Sequence, residues 1–125
     1  MHLDTHVVIW LFAGEVARFP EPARERLETQ ALAVSPMVEL ELQYLYETER
    51  VTEPASVVMQ DLERRIGLEV VDASIQDIVE RAMTLSWTRD PFDRLIAAHS
   101  ALDGVPLLTA DETILASLPE AVWSL

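Results

Sequence analysis

The sequence contains neither cysteine nor lysine. Without cysteine, disulfides and thiolate metal sites are excluded, and a reducing cytoplasm suits such a chain. Without lysine, Schiff-base and lysine-nucleophile chemistry are excluded as well. The chain also lacks an apolar run long enough for a membrane, since HVVIWLFAG at 6–14 is far shorter than the ~20 residues that a span needs. No signal peptide opens the sequence, so we expect a cytoplasmic protein without a membrane segment.

Acidic residues dominate the charge of the chain. It has 22 aspartates and glutamates against nine arginines, and its formal net charge is −13. Such a surface repels nucleic acid at long range, so RNA binding would require bound cations, a local arginine patch or a basic partner. Arginines do cluster loosely, as at Arg64 and Arg65, but solvated helix faces explain such clusters more simply. Because 50% of the 125 residues are apolar, we expect one domain with a real core, spanning 1–125.

Short apolar segments alternate with helical patterns along the whole chain. The predicted strands are 1–4, 32–36, 68–73, 105–110 and, at an edge, 121–125, and the predicted helices are 5–14, 21–31, 37–49, 53–67, 74–87, 91–103 and 111–118. This alternation predicts an α/β fold, with a parallel sheet between two layers of helices. In that architecture functional groups gather at the carboxyl ends of strands, near the switch in strand order. Asp4 ends the first predicted strand, and Asp111 directly follows the fourth.

The helix predicted at 91–103 begins with two carboxylates, Asp90 and Asp93, three positions apart. Asp90 precedes Pro91, and aspartate at the N-cap before proline is an ordinary helix start. Asp93 would then lie in the first turn, where an acidic side chain favours the helix dipole. Each residue taken alone is explained by helix capping, so any functional role depends on what lies nearby.

A third acidic position is found within the predicted helix 37–49. On a helical wheel that starts at Met37, Glu41 lies near 40°, in the middle of an apolar arc. That arc comprises Met37, Val38, Leu40, Leu42, Tyr44 and Leu45, whereas Glu39, Gln43 and Glu47 share a solvated face. Burying a lone carboxylate is costly, so Glu41 must be partly exposed, paired with an arginine, protonated or bound to a metal.

Asp4, Glu41, Asp93 and Asp111 thus form a candidate site, with Asp90 beside it. Converging carboxylates repel each other unless a cation neutralises them, and ligand oxygens without sulfur favour Mg²⁺ or Mn²⁺. The chemistry that this suggests is attack of a metal-activated water on a phosphodiester. The histidines His6 and His99 are poorer ligand candidates, because His99 falls on the apolar face of its helix, where a hydrogen-bonded core histidine is expected.

Three motifs and their order make the chain resemble the PIN-domain ribonucleases, and specifically the VapC toxins of VapBC toxin–antitoxin pairs. They are LDTHVVIWLF at the start, VSPMVELELQYLYE in the middle, and DPFDRLIAAHSALDGVPLLTAD near the end. The family's glutamate stands six residues after the serine that ends the strand, which here selects Glu41 after Ser35 rather than Glu39. Its aspartate precedes the x-Leu-Ile-Ala-Ala run, which selects Asp93 rather than Asp90.

This resemblance implies more than the residues alone. It implies that Asp4, Glu41, Asp93 and Asp111 form the family's acidic quartet, catalytic and metal-binding, and that Thr5 and Thr109 support it. It implies a three-layer α/β/α fold with a short parallel sheet, and Mg²⁺- or Mn²⁺-dependent cleavage of structured RNA, chiefly tRNA or rRNA. It further implies a homodimer and a cognate VapB-type antitoxin.

Two alternatives belong to other functional classes. A phosphatase of the haloacid dehalogenase type also begins with a strand that ends in aspartate, but it needs a second acid two residues later, where this chain has His6. It would also lack a lysine for the phosphate. A catalytically silent PIN-like interaction protein would be indicated by substitution at one of the four acidic positions, and none is substituted.

Overall fold

A computed structural model describes all residues, 1–125, as five short strands and seven α-helices. The strands are β1 (His2–Leu3), β2 (Ala33–Val34), β3 (Glu69–Val70), β4 (Leu107–Leu108) and β5 (Ala121–Val122). The helices are α1 (Thr5–Ala13), α2 (Glu21–Thr29), α3 (Pro36–Glu47), α4 (Ala55–Ile66), α5 (Ile75–Ala82), α6 (Pro91–Asp103) and α7 (Glu112–Ser117). All the predicted elements are present, and a short 3-10 helix at Val16–Arg18 was not predicted.

The five strands form one parallel sheet in the order β3-β2-β1-β4-β5. The chain builds outward from β1 to β3 and then crosses to the other side of β1, so the connecting helices cover both faces. The predicted three-layer α/β/α fold is therefore confirmed. The switch in strand order lies between β1 and β4, where Leu3 is in register with Leu108. Asp4 and Thr109 directly follow these two strands, so the carboxyl edge presents both at the switch point.

One apolar core holds this arrangement together. It joins β1 and β4 to the inner faces of α1, α3, α4 and α6, with Leu3, Val7, Val8, Val38, Leu42, Leu62, Ile96, Leu107 and Leu108 among its buried side chains. These residues come from elements far apart in sequence, and their close packing fixes where each strand and helix ends relative to the others. The backbone at the carboxyl edge of the sheet is thereby held rigidly.

All five predicted strands were too long, since each observed strand has two residues, and so was the helix predicted at 74–87. The helix predicted at 74–87 ends at Ala82, because the Arg94 guanidinium donates to the Ala82 carbonyl at 2.7 Å and the Thr84 hydroxyl donates to the Arg81 carbonyl at 2.7 Å. These tertiary and local caps take the place of further helical hydrogen bonds. The strand predicted at 68–73 shortens to the exposed pair Glu69–Val70, at the edge of the sheet.

The apolar arc predicted for α3 was partly wrong. Val38 and Leu42 are buried as expected, but Leu40 and Tyr44 are 55% and 44% exposed. The core covers a narrower part of this helix than its apolar pattern spans, and the Tyr44 ring instead packs against Phe92 with centroids 5.7 Å apart. None of the helices has the length and apolar character that crossing a bilayer requires.

Candidate active site

Asp4 is held on both carboxylate oxygens at the end of β1. It is only 3% exposed, and it is the N-cap of α1, where Oδ1 accepts a hydrogen bond from the Thr5 amide at 2.8 Å. Oδ2 accepts from the Thr109 hydroxyl at 2.7 Å, across the β1–β4 boundary. A buried carboxylate with two such donors keeps one orientation. Thr5 and Thr109 therefore support Asp4, as expected.

Glu41 reaches the same place from α3. It is half-buried, and its Oε1 accepts a hydrogen bond from the Thr5 hydroxyl at 2.5 Å. Burial raises the pKa of Glu41, the charges of Asp4 and Asp90 raise it further, and the Thr5 hydrogen bond opposes them. Glu39 instead borders a separate cleft beside α4 and β3. The two glutamates thus face different sites.

Asp93 lies in the first turn of α6, below the cap that Asp90 provides. The Asp90 Oδ1 accepts a hydrogen bond from the Asp93 amide at 3.0 Å, which confirms Asp90 as the N-cap. Burial, which contributes most, and the charges of Asp4, Asp90, Glu41 and Asp111 together raise the pKa of Asp93 to about 7. Because all these carboxylates act on Asp93, the predicted acidic residues do converge on one region.

Asp111 belongs to this region but also starts a helix. It is the N-cap of α7, and its Oδ1 accepts a hydrogen bond from the Ile114 amide at 2.9 Å. The Asp111 amide donates to the Thr109 hydroxyl oxygen at 3.0 Å, and that hydroxyl in turn donates to Asp4. One hydroxyl therefore ties Asp111 to Asp4, and one oxygen of Asp111 is left without a capping role.

A comparison with models of known protein families identifies the family of this chain. A model of the PIN-domain family matches residues 1–119. The chain belongs to the PIN-domain family. This membership confirms the family that the three motifs indicated, and it removes the haloacid dehalogenase alternative.

Solved structures with the same fold include toxin–antitoxin complexes. A toxin–antitoxin complex from Klebsiella pneumoniae matches with a TM-score of 0.69 at 23% identity, covering 99% of this chain and 97% of the other. VapBC2 from Rickettsia felis, bound to a promoter DNA fragment, matches at 0.69 and 20% identity, covering 97% and 94%. DNA-bound VapBC from Salmonella typhimurium matches at 0.65 and 20%, covering 96% and 92%. None of the curated proteins matches this PIN domain.

His6, which the sequence analysis considers only as a poorer ligand candidate, is a neighbour of the acidic site. Its Nε2 accepts a hydrogen bond from the Ala110 amide at 2.8 Å, so a neutral ring carries its proton on Nδ1, which lies 3.5 Å from Asp4 Oδ2. His6 therefore faces Asp4 with a donor while it fixes the loop after β4. No local pattern marks this role, because it depends on contacts between residues 104 positions apart.

The donor set of this PIN domain suits a hard divalent cation. No arginine forms an ion pair with any of the four acids, which excludes the arginine-paired explanation of Glu41. Arg94, the nearest in sequence to Asp93, is committed to capping α5. No three of the acidic oxygens lie within 4.8 Å of one another. Such separation is expected of uncompensated carboxylates, and a bound Mg²⁺ or Mn²⁺ would offset their repulsion.

Proposed function

We propose that this PIN domain is a metal-dependent endoribonuclease of the VapC type, the toxin of a type II toxin–antitoxin pair. We propose that it hydrolyses phosphodiester bonds in structured RNA such as tRNA or rRNA. The observation that carries the proposal is the convergence of Asp4, Glu41, Asp93 and Asp111 without a cationic partner. A site in which burial and four acidic neighbours raise one carboxyl pKa to about 7 favours a bound cation at neutral pH.

Asp4, Glu41 and Asp93 would hold Mg²⁺ or Mn²⁺ directly or through water, and the uncapped oxygen of Asp111 would complete the site. When bound, the ion would supply an activated water and offset charge on the phosphate. The Thr5 and Thr109 hydroxyls, which each donate to a carboxylate, keep Asp4 and Glu41 in position. Asp93, which is protonated in part near pH 7, would release its proton as the cation binds.

The partners in this proposal are a VapB-type antitoxin and a second copy of the chain. Because this chain has a net charge of −13, an antitoxin segment that covers its acidic site is expected to carry arginine or lysine. The structural neighbours, which are toxin–antitoxin complexes, support such a partner. The apolar residues Ile75 and Val79 of α5 and Met83 at its C-cap are exposed at four-residue spacing, and this stripe supports a homodimer.

The test is RNA cleavage by the purified protein in Mg²⁺, in Mn²⁺ and in EDTA. Asp93→Asn is compared with Asp77→Asn, a matched control because Asp77 occupies the same third position of α5 behind its cap Ser74. We expect cleavage by the wild type and by Asp77→Asn with either metal, and none in EDTA or by Asp93→Asn. Equal activity of the two variants, or cleavage that persists in EDTA, would contradict the proposal.

The toxin role is tested separately in cells. Expression of the chain alone is expected to slow growth, and co-expression of the neighbouring antitoxin gene to restore it. Unimpaired growth with abundant folded protein would favour the catalytically silent PIN-like protein instead.

A further inference from the structure

A second group of ionisable side chains lies at the opposite end of β1. His2 is the first residue of that strand, His99 lies in the middle of α6, and Asp103 ends α6. The His2 Nε2 and His99 Nε2 atoms lie 2.9 and 3.5 Å from the same oxygen, Asp103 Oδ2. All three atoms fall within 4.8 Å of one another, and the imidazoles meet edge to face. Both rings therefore direct a nitrogen towards one carboxylate.

The two imidazoles are more deeply buried than their hydrogen bonds explain. His2 is 1% and His99 0% exposed. The His99 Nδ1 pairs with the Ser35 hydroxyl at 2.8 Å, whereas its Nε2 is buried without a hydrogen-bond partner. A buried polar atom left unpaired has lost its hydration without gaining a hydrogen bond, so it needs an explanation. The sequence predicts a hydrogen-bonded core histidine at His99, and only its Nδ1 fits that prediction, because its Nε2 has no partner.

The Ser35 contact occupies Nδ1 of His99 and leaves Nε2 available as a metal ligand. Ser35 caps α3, and its Oγ already accepts a hydrogen bond from the Met37 amide. A metal at Nε2 requires the tautomer in which His99 Nδ1–H donates to this oxygen, and the 2.8 Å contact with Ser35 is compatible with that tautomer. A metal-bound histidine commonly donates its other ring N–H to a nearby acceptor, which fixes the tautomer.

We propose that His2, His99 and Asp103 form a binding site for a transition-metal ion, with Zn²⁺ as the best fit. Two imidazole nitrogens and one carboxylate oxygen are a common zinc ligand set, and water would take the fourth position. Tetrahedral bonds of ~2.0–2.2 Å place ligand atoms roughly 3.4 Å apart. The two Asp103 distances, 2.9 and 3.5 Å, lie on either side of that value, and the two imidazole nitrogens lie within 4.8 Å of each other.

Access to the site comes through Asp103, whose side chain is 31% exposed while both imidazoles are buried. An ion can therefore enter from solvent and retain a water. Imidazole nitrogen favours Zn²⁺ over Mg²⁺, whereas the acidic site offers oxygen alone. The two ends of β1 would therefore select different metals. The zinc would join residues 101 positions apart and so stabilise the fold, away from the acidic site.

The experiment measures Zn²⁺ binding to tag-free, EDTA-treated protein in excess Mg²⁺, by titration against a chromophoric chelator. The visible absorption spectrum of bound Co²⁺ then reports the ligands. His99→Asn removes Nε2 but leaves a polar group near Ser35, and Asp103→Asn changes a partly exposed position that folding tolerates better. His6→Asn, which alters the remaining histidine, is the matched control, and Asp93→Asn excludes binding at the acidic site.

We expect one Zn²⁺ per chain in the wild type and in both controls, and at least about 10–100-fold weaker binding in His99→Asn and Asp103→Asn. Zn²⁺ at a hundredfold excess over the wild-type Kd should raise the Tm of the wild type by roughly 10 °C, and the same concentration should raise that of Asp103→Asn by no more than about half as much. Absence of Zn²⁺ binding, or binding that only His6→Asn or Asp93→Asn weakens, would overturn the proposal. Neither readout involves RNA, so the result is independent of the proposed nuclease function.

Discussion

The two ends of strand β1 carry ionisable groups in opposite electrostatic settings. At the carboxyl end Asp4 is surrounded by further acids, and its carboxylate is contacted only by the Thr109 hydroxyl, the Thr5 amide and His6. At the amino end His2 meets one carboxylate and one other imidazole. In the second group a carboxylate faces two imidazoles and attracts them when they are protonated, although two of the four ring nitrogens have no hydrogen-bond partner. No hydrogen bond removes the repulsion within the first group. We therefore expect the carboxyl end to depend more strongly on a cation, and the predictions below test that difference.

The largest effect is expected at Glu41. Glu41→Gln keeps the shape of the side chain and its contact with Thr5 but removes a charge that would hold the metal. Cleavage of total RNA in Mg²⁺ or Mn²⁺ should fall at least about 10–100-fold, since even losses around a metal's ligands have effects of that size.

The matched control for Glu41 is Glu39→Gln, on the same helix. Glu39 borders another cleft, so its removal should change activity little, as surface substitutions alter stability by only ~0.5 kcal/mol. Equal losses in the two variants would show that the orientation of α3 does not decide activity.

The distinction between Glu39 and Glu41 also shows how far the sequence reaches. A helical wheel predicts that Glu41 turns inward, and the strand-end rule places Asp4 and Asp111 at the same edge of the sheet. Both depend on local periodicity and chain order, which the sequence contains. The same wheel wrongly predicted that Leu40 and Tyr44 are buried. The width of helix that the core covers depends on tertiary packing, which a helical wheel does not contain.

Other contacts in the molecule have no local sequence pattern that could predict them. The grouping of His2 with His99 and Asp103 joins the first strand to the sixth helix, and nothing in their spacing indicates it. The hydrogen bond from the Ala110 amide to His6, and Arg94 as the cap that shortens α5, are of the same kind. Each follows from how distant elements pack, so each required the structure.

The second prediction concerns the stability of the carboxyl end. Mn²⁺ at a hundredfold excess over its Kd should raise the free energy of unfolding by about 2.7 kcal/mol relative to EDTA. The reason is that a bound cation removes repulsion among Asp4, Glu41, Asp93 and Asp111. Thermal unfolding in both conditions measures this, with Asp77→Asn as a control that should respond like the wild type. An unchanged Tm in millimolar Mn²⁺ would mean that these acids do not form a metal site.

The third prediction is a pH dependence in the metal-free protein. Burial and four acidic neighbours raise the pKa of Asp93 from 3.8 to about 7. The folded state thus retains a proton that the unfolded state has released, so the contribution of Asp93 to stability is lost as pH rises from about 4 through 7. As pH rises over this range, the wild type should lose about 1–2 kcal/mol of unfolding free energy relative to Asp93→Asn. This figure is discounted because the side chain is only half-buried.

Denaturant unfolding in EDTA at pH 5, 6, 7 and 8 measures the effect of Asp93. Saturating Mg²⁺ should reverse the trend, since the ionised carboxylate is the form that binds metal. A constant difference between the two proteins across this range would show that Asp93 titrates like an exposed carboxyl.

The smallest effect is expected on the free energy of unfolding in EDTA, when one charge is removed from either end of β1. Asp103→Asn removes the charged partner of His2 and should lower the unfolding free energy by about 0.5–1 kcal/mol, because the contact is partly exposed and an asparagine oxygen still accepts one hydrogen bond. Glu41→Gln removes a charge that its neighbours repel, so at pH 8 it should leave the stability unchanged or raise it. Opposite signs in one set of denaturation curves would confirm that the amino end is held by attraction and the carboxyl end is not. A loss of stability in both variants would mean instead that the Thr5–Glu41 hydrogen bond outweighs the repulsion, and that the acidic site is stable without a cation.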